Sequence, residues 1–269
     1  MKRTLVSIAF CCAAGLCCTA MAGQLVAVPS AGAGTIALAM IKAMAGDTVL
    51  VANGAYTGSV MLKSEVVLKS ASAFGAALDG GGKGAVVTMG SNATLCGFEI
   101  RNGTIGILSS HGGNAILSCR ITNNRESGIM CVGNAPRIED DVIVFNGGSG
   151  IQGWNLSAIN AAVNHNTIAY NMNNGVALGG NSNMILECNI IAFNQNEAVK
   201  TLDLSKMSMT NNDFFKNGRT PNAQSSNNFS LDPKFTAPRE GFDFSLAADS
   251  PLASTMSGAN VSIGARFPH

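Results

Sequence analysis

A repeated arrangement of apolar and polar positions runs through the chain. Its clearest mark is an Asn, three residues, then a small residue, usually Gly, followed by an aliphatic one. The copies are Asn102 with Gly106-Ile107, Asn124 with Gly128-Ile129, Asn146 with Gly150-Ile151, and Asn171 with Gly175-Val176. Asn194 with Ala198-Val199 is a decayed copy, and Asn217-Gly218 begins a sixth. Successive Asn positions lie 22, 22, 25, 23 and 23 residues apart. Three residues before the Asn stands an apolar column of Ile121, Ile143, Ile168, Ile191 and Phe214. The first copy has Glu99 there and Ile100 one place later, so its register is shifted by one residue. Five residues before the Asn stands the mostly polar column Cys119, Asp141, Asn166, Asn189 and Asn212. Eight before it stands another apolar column, Ile116, Ile138, Val163, Leu186 and Met209.

Each period holds several two- or three-residue alternating runs that end on Asn or Gly, and none supports a long amphipathic helix. Leucine-rich repeats share the length but not the leucine spacing. The arrangement predicts an all-β, right-handed parallel β-helix in which each repeat is one coil of three short strands. Asn tolerates the left-handed conformation at sharp bends, and its amide can bond the same amide one coil away. Asn124, Asn146, Asn171 and Asn194 are therefore read as a structural Asn ladder. A solenoid exposes its core and strand edges at both ends, so both need cover. Residues 35–47 read as an N-terminal cap with a helix, 48–217 as about seven coils, and 218–269, with five of the seven prolines, as an irregular C-terminal cap.

Composition supports this picture and narrows the function. Apolar residues make up 46% of the chain and charged residues only 12%, which excludes a disordered chain. The 31 Gly and 27 Asn exclude a helical bundle or coiled coil. Net charge is +1, so a nucleic-acid partner has no electrostatic footprint. Residues 1–22 read as a cleaved signal peptide: Lys2-Arg3, an apolar run from Leu5 to Cys18, then Ala20-Met21-Ala22 before the cut. A membrane anchor is the alternative, disfavoured by the shortness of the run. Cleavage leaves a single domain, 23–269, with no later span, and a secreted, periplasmic or cell-surface location. Without Lys2 and Arg3 the balance is 15 Lys and Arg against 16 Asp and Glu, or −1. Cys96, Cys119, Cys131 and Cys188 remain, and either free thiols or bridges fit an exported protein. No CxxC pair or His/Cys cluster suggests zinc.

The repeat, together with its flanking segments, resembles the bacterial right-handed parallel β-helix repeat family of the pectin-lyase-like superfamily. The likeness extends from Thr35–Met40 and Ala45–Val51 at one end, with Asn53-Gly54-Ala55-Tyr56 as the turn that follows. At the other end it includes Asp232–Phe235, Asp243–Leu246, Ser250-Pro251-Leu252 and Ile263-Gly264-Ala265. The resemblance implies a polysaccharide partner, acidic in class, and a lyase or hydrolase activity. Ca²⁺ is the cation that the lyases of that superfamily use, and such a site needs several converging oxygens.

The family's chemical motifs are not matched. Asp140-Asp141 is the only Asp pair, Ser110-His111-Gly112 precedes it, and Arg137-Ile138-Glu139 ends in Glu where Lys is required. No clean acid triplet stands for a Ca²⁺ site, and no metal ligands are assigned. One constellation remains. Six residues before each ladder Asn lie Ser118, Asp140, His165, Cys188 and Asn211, and one residue earlier lie Glu139, Asn164 and Glu187. On adjacent coils Asp140 would orient His165 as a general acid or base. Glu139 and Glu187 would stand ~9.6 Å apart, at the wide end for an inverting pair. Catalysis is thus assigned to Glu139, Asp140, His165 and Glu187. Substrate binding is assigned to Asn164, to Trp154 by stacking, and to Arg120 through a sugar carboxylate. Against this stands a non-catalytic surface, adhesive or structural module. Oligomeric state is not legible.

Overall fold

The computed structural model describes residues 23–29, 35–157, 162–219, 227–253 and 263–266. The leader, 1–22, lies outside them. The chain winds as a right-handed parallel β-helix of about eight turns. Each coil visits three parallel sheets in order. Among the described residues sheet 1 has nine strands, from Leu25–Val28 to Lys206–Thr210. Sheet 2 has eight, from Gly54–Thr57 to Asp213–Phe215, and sheet 3 has seven, from Val60–Leu62 to Val199–Thr201.

The register follows the sequence columns. Ile116 pairs with Ile138, Ile138 with Val163, and Val163 with Leu186 in sheet 1. In sheet 2 the column is Ile100, Ile121, Ile143, Ile168, Ile191 and Phe214, so the first copy is indeed shifted by one. These side chains are fully buried, each contributing roughly 1.5–3 kcal/mol by leaving water.

Both Asn-marked bends use one device. A residue in the left-handed region turns the chain, and an inward residue, mostly Asn, follows it. Between sheets 1 and 2 the turning residues are Ser118, Asp140, His165, Cys188 and Asn211, with φ between 50° and 59°. Between sheets 2 and 3 they include Phe145, Tyr170 and Phe193, with φ near 56°. Cys119 follows Ser118 and Asp141 follows Asp140, and elsewhere the Asn after the turning residue joins a buried ladder. Asn124 Nδ2 donates to Asn146 Oδ1 (3.0 Å), Asn146 to Asn171 (3.0 Å), Asn171 to Asn194 (2.9 Å) and Asn194 to Asn217 (2.9 Å). The second ladder runs Asn166, Asn189, Asn212, Asn228 at 3.0, 2.9 and 3.2 Å. Buried backbone donors left over by the bends are met by these amides. The recurrent Gly also has a cause. A β-carbon on Gly128 would meet the Asn146 amide, the Ile143 methyl and the next coil's carbonyl within 3 Å.

The ends differ from the expected layout. Strand Leu25–Val28 forms a rung on Thr48–Val51 before the cap helix, so pairing starts ahead of residue 48. The helix Thr35–Lys42 then closes the core with Ile36, Ala39 and Met40. At the far end residues 227–231 add a closing rung: Phe229 N–H donates to Asn212 O and Phe214 N–H to Phe229 O. The C-terminal segment does not stop there. Its hairpin, Phe235–Ala237 with Asp243–Leu246, lies along the outer face of sheet 2 as a strap. That face is apolar, with Val142, Val144, Ala169, Ile190 and Ala192 all buried under Phe235, Phe244, Leu246 and Leu252. The bend aromatics stack in the same layer, Phe145 on Tyr170 at 5.3 Å and Tyr170 on Phe193 at 4.8 Å, with Arg239 over Tyr170 at 4.9 Å. The four cysteines among the described residues, Cys96, Cys119, Cys131 and Cys188, are free thiols.

Candidate functional site

The sequence candidates fall on three separate faces. Glu139, Asp140, Asn164, His165 and Glu187 lie at the bend from sheet 1 to sheet 2. Glu139 is in register with Asn164, and Asn164 with Glu187. Arg120 begins a strand of sheet 2. Trp154 ends a strand of sheet 3. The three residues assigned to binding, Trp154, Arg120 and Asn164, therefore cannot meet one ligand together.

The bend cluster is assembled but engaged. Arg266, carried by the strap, donates from Nε to Asp140 Oδ1 (2.7 Å) and from Nη2 to Asp140 Oδ2 (2.9 Å). The same Nη2 reaches Glu139 Oε1 at 3.0 Å, and Arg137 pairs with the other Glu139 oxygen at 3.0 Å. The expected Asp140–His165 pair is not formed: the carboxylate faces Arg266, and His165 Nδ1 is buried without a bond. The cause is the strap, which reaches this bend through Gly264 N–H to Cys188 O and Ala265 N–H to Thr167 Oγ1. Ca²⁺ does not fit here, because a guanidinium already holds the oxygens of Glu139 and Asp140. Glu187 is exposed. Arg120 is also committed. It pairs with Glu99 at 2.7 Å and lies against Phe74 and Phe242 at 4.8 and 5.7 Å.

Trp154 stands differently. Its strand neighbours are Val132 on one side and Gly179 on the other. The indole lies flat on Gly179, where any β-carbon would run into the ring, yet the residue keeps 36% of its surface exposed. Beside it opens a groove of about 210 Å³ lined by Gln152, Asn173, Asn174, Lys200 and Leu202. The amides are held in place. Gln152 Oε1 accepts from Ser127 Oγ (2.8 Å), Asn173 Oδ1 from Asn196 Nδ2 (2.8 Å) and Asn174 Oδ1 from Glu197 N–H (3.1 Å). A second, more open trough of about 440 Å³ shares Lys200 and continues to Arg219. An aromatic ring fixed by its own backbone, ringed by ordered amides, can stack on and hydrogen-bond a sugar. Of these residues the sequence had singled out only Trp154. Gln152, Asn173, Asn174 and Lys200 are ordinary surface types that carry no motif.

Known proteins share this architecture. A family model described as right handed beta helix region matches residues 79–233, more than half of the chain. The chain belongs to the right-handed β-helix family. Among solved structures, a PL6 family alginate lyase, AlyGC, is similar to this β-helix at 13% identity with a TM-score of 0.32. The match takes in 77% of this chain and 39% of that protein, so the β-helix described here spans well under half of the enzyme's length. Comparison with curated proteins gives no match. No helix among the described residues is long and apolar enough to cross a membrane.

Proposed function

We propose that this β-helix is an exported protein that binds polysaccharide along the outer face of sheet 3, with Trp154 as its stacking platform. The observation that carries the reading is the Trp154 indole, fixed on Gly179, partly exposed and bordered by held amides. Export rests on the leader: a basic start, an apolar run and Ala20-Met21-Ala22. An acidic polymer and its cleavage are what the sequence resemblance implies. Binding is favoured over turnover because the carboxylates of Glu139 and Asp140 are held by Arg266 and Arg137.

Trp154 is the only tryptophan, so its fluorescence reports on the groove directly. The experiment titrates residues 23–269 with a panel of uronic-acid and neutral polysaccharides, following emission, unsaturated-product absorbance and reducing ends. At least one polymer should shift the emission, and Trp154→Ala should weaken binding about tenfold or more, or about 1.4 kcal/mol, with the β-structure retained by circular dichroism. Equal binding by Trp154→Ala, measured calorimetrically, would remove the reading.

A further inference from the structure

We propose that the polymer recognised at the Trp154 groove is uncharged and lies along the solenoid axis. This rests on the reading of that groove as a polysaccharide site and departs from the acidic class implied by the sequence resemblance. The register of sheet 3 defines the surface. One outward column runs from Met61 through Thr88, Leu108, Met130 and Gln152 to Ala177. Six successive rungs thus present no charged side chain in that column. The column beside it is Val132, Trp154 and Gly179, again neutral. Rungs repeat every ~4.8 Å, so six of them make a face of about 24 Å.

Charges stand only at the two ends of this face: at its start Lys63, two residues past Met61, donates from Nζ to Ala43 O at 2.7 Å, and at its far end two cationic side chains lie among two acidic ones. Lys200, next in the first column, pairs with Glu197 at 3.2 Å. Asp203, two residues beyond Thr201, accepts from Gly180 N–H at 3.0 Å. Arg219 shares its trough with Glu197. A row of sugar carboxylates needs a row of cationic donors, because a carboxylate taken from water without one is costly. The other candidate for that role, Arg120, lies on sheet 2 and is paired with Glu99. The net charge of −1 over residues 23–269 gives a polyanion no long-range attraction either. Methionine, leucine, valine and tryptophan side chains with one fixed amide instead suit the apolar faces and hydroxyls of a neutral glycan.

The test uses polymer pairs that share a backbone. One pair is polygalacturonate and the neutral polymer made by reducing its carboxyl groups. The other is carboxymethyl-cellulose and hydroxyethyl-cellulose. Each is titrated against residues 23–269 by Trp154 fluorescence at low and high salt, with Trp154→Ala followed by calorimetry. The expected result is that a neutral member binds about tenfold or more tightly than its charged counterpart, without salt dependence, and that Trp154→Ala loses this binding. Preference for a charged member, weakening with salt, overturns the uncharged class and leaves the groove reading in place. Neutral binding that survives in Trp154→Ala overturns the groove reading. No emission change with any of the four overturns the uncharged class as argued. A doubled mass in sedimentation that Leu202→Ser abolishes assigns the face to a second copy of the chain and overturns the proposal.

Discussion

Replacing Asp141 by Asn should make the protein more stable, by an amount that grows with pH. Asp141 is fully buried and occupies a rung of the second Asn ladder. Its Oδ1 accepts from Cys119 N–H at 2.6 Å, and its own N–H donates to Asn166 Oδ1 at 2.9 Å, as an Asn would arrange. The difference is at Oδ2, which is buried with no partner. One coil on, the equivalent atom is Asn166 Nδ2, which donates to Ile138 O (3.0 Å), Asn164 O (2.9 Å) and Asn189 Oδ1 (3.0 Å). By the same register Asp141 Oδ2 faces the carbonyls of Ile116 and Glu139 and the amide oxygen of Asn166. An oxygen among three acceptors is tolerable only when it carries a proton. Burial accordingly pushes the Asp141 carboxyl well above the usual range, with the neighbouring Asp140 and Glu139 charges adding to it. The folded form therefore keeps a proton that the unfolded chain releases above about pH 4. Wild-type stability falls from there by ~1.4 kcal/mol per pH unit until Asp141 itself ionises. The amide in Asp141→Asn keeps a donor at that position and has no proton to lose, so the variant escapes this pH-dependent loss. Urea unfolding followed by Trp154 fluorescence, at about pH 4 and about pH 7, should show a gap between Asp141→Asn and wild type that widens with pH. A substitution that destabilises at both, or a gap that does not widen, refutes the neutral-acid account.

Asp213, buried where the closing rung and strap join, follows the same sign. Its carboxyl is pushed up to about 7, chiefly by burial with the Asp232 charge adding to it, while Leu231 N–H on Oδ1 opposes. Wild-type stability should fall between pH 3.8 and about 7 and flatten above, the loss bounded by 3.2 units, or about 4 kcal/mol; Asp213→Asn should remove that part of the slope in urea titrations. Gly175→Ala should cost more than about 2 kcal/mol by chemical unfolding, because its β-carbon would strike the Ala198 carbonyl and the Ile191 methyl. On the strap, Phe244→Ala should cost about 3–5 kcal/mol and open the segment after residue 229 to protease. Arg266→Ala should cost less than about 1 kcal/mol in the same unfolding assay, since its side chain is 44% exposed.

What the sequence could and could not reveal follows from how each contact is made. The ladders and core columns recur at every coil, so one period of about 23 residues exposes them, and even the shift at Ile100 was visible. The strap is made once, by residues more than 70 positions from most of what they cover, and has no period. A trace of it was present all the same: Val142-Ile143-Val144 and Ile190-Ile191-Ala192 are continuous apolar runs, not alternating ones, and between them Thr167-Ile168-Ala169 departs from this only at Thr167. Such runs mark strands buried on both faces, which a bare solenoid flank would not have. Reading them so would have placed a cover over sheet 2. It would also have warned that Arg120 and the Asp140 bend lie beneath or beside that cover. The bend cluster misled for a related reason. Its column position is set by the left-handed turn, where Asp, His and Asn are favoured for their backbone behaviour, so chemically suggestive residues gather there without a ligand to select them. Trp154 has the opposite logic. Nothing in the backbone asks for a tryptophan at that rung, and Gly179 is small where the indole rests, so the open side of the ring is where the proposed glycan contact is tested.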